Sequence, residues 1–174
     1  MNRRAVVLSL SLLAGCGSPA GNGMDAGVDS GTPLPSMLTT SGALTGMISA
    51  AKPTVGYDAQ MDQSSFSLTR SVRVGLAFGA DVNIGFTGAP AAMTYTSTSP
   101  GFTCNVTVTS GATTADTWTA LFNSTAGANR GTCSLTLSSA MTSATGYDVA
   151  GTLSITADNA SGAATGMVTL TGTF

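Results

Sequence analysis

From residue 37 to Phe174, apolar and hydroxyl-bearing residues alternate with a period of two, and this pattern restricts the chain's fold more than any other feature. Phe102, Cys104, Val106 and Val108 fall in one phase, while Thr103, Asn105, Thr107 and Thr109 fall in the other. Extended backbone sends successive side chains to opposite faces, so such a segment becomes a strand with one dry face and one wet face. The same alternation runs through Leu44, Gly46, Ile48 and Ala50, and through Trp118, Ala120 and Phe122. It returns in Cys133, Leu135 and Leu137, in Val149, Gly151, Leu153 and Ile155, and in Val168, Leu170, Gly172 and Phe174. Val72, Val74, Leu76 and Phe78 form a further run, and Val82, Ile84 and Phe86 another, with Gly79-Ala80-Asp81 expected between them as a hairpin loop. No segment carries a convincing helical period. About eight strands, each dry on one side, predict an all-β domain over residues 37–174. The expected architecture is an antiparallel β-sandwich of jelly-roll or immunoglobulin-like type, with a small β-barrel as the alternative.

Charge is scarce. Charged residues make up 8% of the chain, where about 25% is usual, and apolar residues make up 43%. All eight acids are Asp, and His is absent. Without His, neither a Ser-His-Asp triad nor a histidine metal site can be assembled. Beyond residue 15 the cations are Lys52, Arg70, Arg73 and Arg130, with no cluster beyond the pair at 70 and 73, so a phosphate backbone would find no basic stripe, and nucleic acid is not expected as a partner. Asp58, Asp62, Asp81, Asp116, Asp148 and Asp158 leave paired-carboxylate hydrolysis formally open, but none lies in a catalytic motif, and Asp in β proteins commonly serves turns. The expectation is a non-enzyme without cofactor or metal.

The N-terminus reads as an address. Asn2-Arg3-Arg4 is a short positive region, and residues 5–13 are an apolar run too short to span a bilayer. Leu13-Ala14-Gly15-Cys16 follows, and this tetrapeptide resembles the lipobox of bacterial lipoproteins. The resemblance implies a signal peptide over residues 1–15, a diacylglycerol thioether on Cys16, cleavage before it and acylation, commonly with palmitate, of the new amine. Two or three acyl chains would then hold the protein on a membrane, since each buried methylene contributes about 0.8 kcal/mol. Arg3 and Arg4 fit a twin-arginine export signal poorly, because Ala5-Val6-Val7 follows them. Residues 16–36 are rich in Gly, Ser, Asp and Pro and bury nothing, as expected of a flexible linker. Asp25 and Asp29 lack the acid spacing and terminal Glu of a calcium loop. The stretch also resembles the tethers of Gram-negative lipoproteins, and the Gly17-Ser18 pair after Cys16 implies the outer membrane.

With Cys16 lipidated, Cys104 and Cys133 remain as a single pairing. Both lie in the apolar phase of their strands, and an exported protein can oxidise them. The bond constrains topology. In a simple meander through the Trp118 strand, the outer strands would stand about 9.5 Å apart, beyond the roughly 7 Å a disulfide tolerates. Either the Trp118 strand belongs to the opposite sheet, or the bond crosses between sheets. The Cys-Trp-Cys order is similar to that of immunoglobulin domains, but the interval from Trp118 to Cys133 is too short for that family. Trp118 is expected as core packing rather than as a sugar platform.

Two repeated elements complete the reading. Residues 41–50 and 161–170 share six of ten identities, which reflects either biased composition or first and last strands lying side by side. Gly56-Tyr57-Asp58 recurs as Gly146-Tyr147-Asp148, a tripeptide that suits strand-flanking turns and could also frame a ligand. Asn105, Asn123 and Asn159 begin Asn-X-Ser/Thr triplets, which in a hydroxyl-rich chain arise by chance. Loops are expected at residues 53–65, 88–92 and 139–146. The functional expectation is a lipid-anchored cell-envelope protein with a binding, adhesion or structural role. The alternatives are an accessory subunit of an envelope complex or an Asp-dependent envelope hydrolase.

Overall fold

In the computed structural model, the described residues are 36–73, 75–112, 116–123 and 129–174. The residues expected as signal peptide, Cys16 and the expected linker up to residue 35 lie outside them. Eleven strands follow in chain order: β1 (Ser36–Gly42), β2 (Gly46–Ala50), β3 (Thr54–Asp58), β4 (Gln63–Arg70), β5 (Phe78–Thr87) and β6 (Thr94–Thr96). The rest are β7 (Thr103–Ser110), β8 (Thr117–Asn123), β9 (Thr132–Ser143), β10 (Gly146–Ser161) and β11 (Val168–Thr173). No helix occurs among the described residues. The all-β expectation is met, and every pairing is antiparallel. The strands run β2-β1-β11-β10-β8-β7-β5-β4-β3, with β9 also on β10 and β6 on β9. The sheet curls into a half-barrel.

Alternation explains each strand. On β5, Phe78, Ala80, Val82, Ile84 and Phe86 are buried while Asp81, Asn83 and Thr87 are exposed. The same phase places Val106 and Val108 from β7, Trp118 and Ala120 from β8, and Leu153 and Ile155 from β10 in one core. Trp118 is core packing, as expected; its indole Nε1 donates to the Gly166 carbonyl at 3.1 Å. β10 bends the sheet. Its central residues pair with β11 on one side and β9 on the other, while its last residues, from Asp158, pair with β8.

Cys104 on β7 and Cys133 on β9 stand at disulfide distance, with Cα atoms 6.5 Å apart. Because β8, with Trp118, pairs directly with β7, the Trp118 strand does not lie opposite Cys104. The pair joins β7 and β9, which are not hydrogen-bonded neighbours, so the three strands do not form the simple meander that the cysteine spacing ruled out.

The expected hairpin around residues 79–81 does not form. Gly79, Ala80 and Asp81 lie inside β5, and Val72 precedes the strand rather than pairing with it. Gly79 serves close approach, not a turn: a Cβ there would lie 2.5 Å from the Val72 backbone nitrogen. The hairpin partner of β5 is β4, where Ser64 is buried in phase with Phe66 and Leu68 and hides the strand from an apolar count. Residues 53–65, expected as a loop, contain β3 and the start of β4, leaving a four-residue turn of Ala59, Gln60, Met61 and Asp62. Residues 139–146 are likewise mostly strand, closing a tight β9–β10 hairpin. Residues 88–92 form the loop expected there.

The internal echo has a structural counterpart. β1 and β11, the first and last strands, are hydrogen-bonded neighbours, with Thr40 opposite Leu170 and Gly42 opposite Val168. The echoed segments run from the end of β1 through its turn and along β2, and from the end of β10 through its turn into β11. Gly42 and Gly162 both take positive φ, at 92° and 96°, and Ile48 and Val168 are both buried. The turns touch through the Ala43 N–H, which donates to the Met167 carbonyl at 3.0 Å.

Candidate functional site

The two Gly-Tyr-Asp tripeptides, far apart in sequence, meet in space. Gly56-Tyr57-Asp58 ends β3, Gly146-Tyr147-Asp148 begins β10, and these strands pack against each other without pairing. Gly146 permits the approach. Its φ is 139°, and a Cβ there would lie 2.5 Å from the Val55 carbonyl oxygen. Between the strands lies a groove of about 350 Å³, lined by Thr54, Gly56, Ser65, Ser143, Thr145, Tyr147 and Asp148, with Pro53 and Val55 at its base.

Charge at the groove is internally matched. Lys52 Nζ lies 2.8 Å from Asp148 Oδ1, with both side chains about half exposed, 47% and 57%. Solvent screening limits such a pair to about 1 kcal/mol or less, so its main effect is to neutralise the rim. On the adjoining turn, the Tyr57 hydroxyl donates to Asp62 Oδ1 at 2.7 Å. That hydrogen bond raises the Tyr57 pKa above the usual phenol value, and the negative charges of Asp62, of ionised Tyr147 and of Asp58 act in the same direction. Asp62 holds the turn at a positive φ of 53°, a conformation that Asp tolerates better than most residues.

The other aspartates among the described residues are engaged in structure. Asp58 Oδ1 accepts from the Gln60 and Met61 N–H groups at 2.8 and 3.2 Å, which closes the β3–β4 turn. Asp116 Oδ1 accepts from the Ala163 and Ala164 N–H groups, pinning the β10–β11 turn. Asp158 Oδ2 accepts from the Gly131 N–H, and Asp81 Oδ1 accepts from Thr69 and Asn83. Among the described residues no three acidic, Cys or His side chains gather where they could hold a metal ion.

A second, shallower depression of about 430 Å³ crosses the wet face of β4, β5, β7 and β8. Its polar lining includes Ser65, Ser67, Asn83, Thr103, Asn105 and Asn123. Gly85 creates part of it, since a Cβ there would stand 2.6 Å from Thr103 Oγ1. Phe66 and Phe122, the aromatic residues lining this depression, also belong to or pack against the core, whereas the β3–β10 groove has Tyr147 in its wall.

Sequence reading singled out the repeated tripeptide but assigned it to strand-flanking turns. Asp58 does hold such a turn; what sequence spacing did not reveal is that the fold brings β3 against the start of β10, with Gly56, Tyr147 and Asp148 lining one groove. Lys52 was not singled out, because an isolated Lys between Ala51 and Pro53 carries no pattern. Cys16, the expected lipid site, lies outside the described residues.

Compared with known proteins, the chain matches no family model, no curated protein and no solved structure.

Proposed function

We propose that this chain is a lipid-anchored, non-enzymatic binding module of the cell envelope, which holds a neutral saccharide in the groove between β3 and the β9–β10 hairpin. The observation that carries this reading is the groove itself, lined by Gly56 of one Gly-Tyr-Asp tripeptide and by Tyr147 and Asp148 of the other. A wall offering the Tyr147 ring, the hydroxyls of Ser65, Ser143 and Thr145, and an ion pair that neutralises itself suits an uncharged polyol. Rings stack on sugar faces, and hydroxyls exchange hydrogen bonds with sugar hydroxyls. A phosphate or a polyanion would find no unpaired cation in that wall.

The anchor rests on Leu13-Ala14-Gly15-Cys16, with residues 1–15 as signal peptide and residues 16–35, up to the start of β1, as tether. Acyl chains on Cys16 fix the protein to the outer membrane of a Gram-negative envelope, and the tether gives the module reach. The frame is a β-sandwich. β2, β1, β11, β10, β9 and β6 form one layer, and β3, β4, β5, β7 and β8 form the other, with the end of β10 passing between them. The Cys104–Cys133 link then ties layer to layer.

Co-sedimentation of the detergent-solubilised full chain with insoluble glucan and with purified peptidoglycan sacculi tests the binding claim. Wild type pellets with at least one polymer, and Tyr147→Ala weakens that binding about tenfold, the loss of a single stacked ring. Wild-type protein that stays in the supernatant with both polymers contradicts the reading, as does a Tyr147→Ala variant that binds unchanged.

A further inference from the structure

Methionine is ordinarily a core residue, a flexible filler of irregular gaps. Among the described residues, none of the buried hydrophobic ones is Met. All six described methionines are exposed, from 41% for Met37 to 67% for Met61, and they are the complete set of exposed large hydrophobics among the described residues. Leu, Ile, Val, Phe and Trp fill the inward positions instead. The segregation holds within single strands: on β2, Met47 is exposed at 62% beside buried Ile48, and next to β11, Met167 is exposed at 59% beside buried Val168.

Their placement does not describe a docking patch. Met37 and Met47 lie on β1 and β2, Met61 in the β3–β4 turn, and Met93 before β6. Met141 lies late in β9, and Met167 in the turn before β11. Met37 and Met47 share one groove of about 430 Å³ with Ile48, Leu76 and Ala77, while the other four lie on separate turns and strands, so no single surface takes in all six. What all six share is an accessible thioether on a side chain whose polarity the core does not depend on.

We propose that these six methionines form a distributed oxidant sink, a role independent of the groove and its ligand. In the reaction, the thioether sulfur attacks the outer oxygen of a hydroperoxide. The O–O bond breaks, an S–O bond forms, and water or an alcohol leaves carrying the second oxygen. Sulfur is oxidised by two electrons to the sulfoxide, and the peroxide is reduced by two. Sulfoxide formation disrupts a protein when it places a polar group in a core. Here each new oxygen points into solvent, and the folded state is retained.

The test is to expose the full chain to hydrogen peroxide and follow each methionine by peptide-mapping mass spectrometry, beside the same chain unfolded in urea. All six oxidise in the folded protein at rates within about threefold of the unfolded chain, and the β-sheet circular dichroism and urea midpoint stay unchanged. Protection of any of the six by more than about tenfold, or loss of the sheet signal as oxygen is added, overturns the inference. In cells, a variant with all six changed to Gln, shown by circular dichroism to be folded and matched in abundance, gives lower survival in peroxide than wild type. Equal survival overturns the protective role.

Discussion

Breaking the link between Cys104 and Cys133 perturbs this fold in a way whose size follows from chain length alone. The two residues are 29 apart in sequence, so the bond closes a loop of about 30 residues. The chain-entropy relation gives a loss of about 12 cal/mol/K from the unfolded ensemble, or about 3.6 kcal/mol at 25 °C. With a urea slope of about 2 kcal/mol per molar for a domain of this size, reduction lowers the unfolding midpoint by about 1.8 M. The assay is urea unfolding followed by Trp118 fluorescence, because this indole is buried on β8, the strand paired to Cys104's strand. Three samples are compared: the oxidised protein, the protein with a phosphine reductant, and Cys104→Ala with Cys133→Ala. The last two should agree to within about 1 kcal/mol, since Cys104 is buried and Cys133 only partly so. If reduction leaves the midpoint unchanged, either the bond does not form or the loop it closes is already restricted in the unfolded state, and the argument from loop length fails.

Other residues make narrower tests. Gly146→Ala destabilises by about 1–3 kcal/mol, because a Cβ collides with the Val55 carbonyl and positive φ suits Ala poorly; urea unfolding measures it. Thr40→Val stabilises by about 1 kcal/mol, since the Thr40 hydroxyl is buried on β1 with no hydrogen-bond partner and Val keeps the shape without the polar atom. Tyr57 titrates above the usual phenol value, and Asp62→Asn moves it back down, as read from phenolate absorbance. Its folded pKa is raised, so the stabilisation from the Asp62 contact is fully present below the unfolded phenol's pKa of about 10 and is lost as the pH rises through the folded value.

Much of the fold was legible because one physical rule, alternation, wrote most strands directly into the sequence. β7 and the central part of β10 show it without interruption, and their inward residues are the buried ones. Reading failed where the same residue type serves two ends. Gly79 signals a turn in sequence, but in the structure it makes room for the Val72 backbone. Ser64 reads as a loop residue, yet it is buried within β4. β6, only three residues long, is too short for any periodicity to declare. The cysteine spacing did better than the strand pattern, since a distance limit alone ruled out a meander of the three strands, and β7, β8 and β9 do not form one. The candidate groove was half legible: the tripeptides stood out as a repeat, but their meeting depends on the curl of the sheet, which no local pattern encodes. The segregation of methionine was also present in the sequence, where Met47 and Met167 fall out of phase with the apolar positions around them. It acquires meaning only once burial is known.

The central claim is that a lipid on Cys16 holds this β domain at the envelope, and the mass of the mature N-terminus tests it most directly. The chain is expressed with a C-terminal tag in a Gram-negative host, purified from the membrane fraction and digested, and its N-terminal peptide is weighed. The account predicts a peptide beginning at Cys16 and carrying a diacylglycerol thioether and an amide-linked acyl chain, with Cys16→Ala releasing the protein from the membrane. An N-terminal peptide that begins elsewhere, or that begins at Cys16 without lipid, would contradict it.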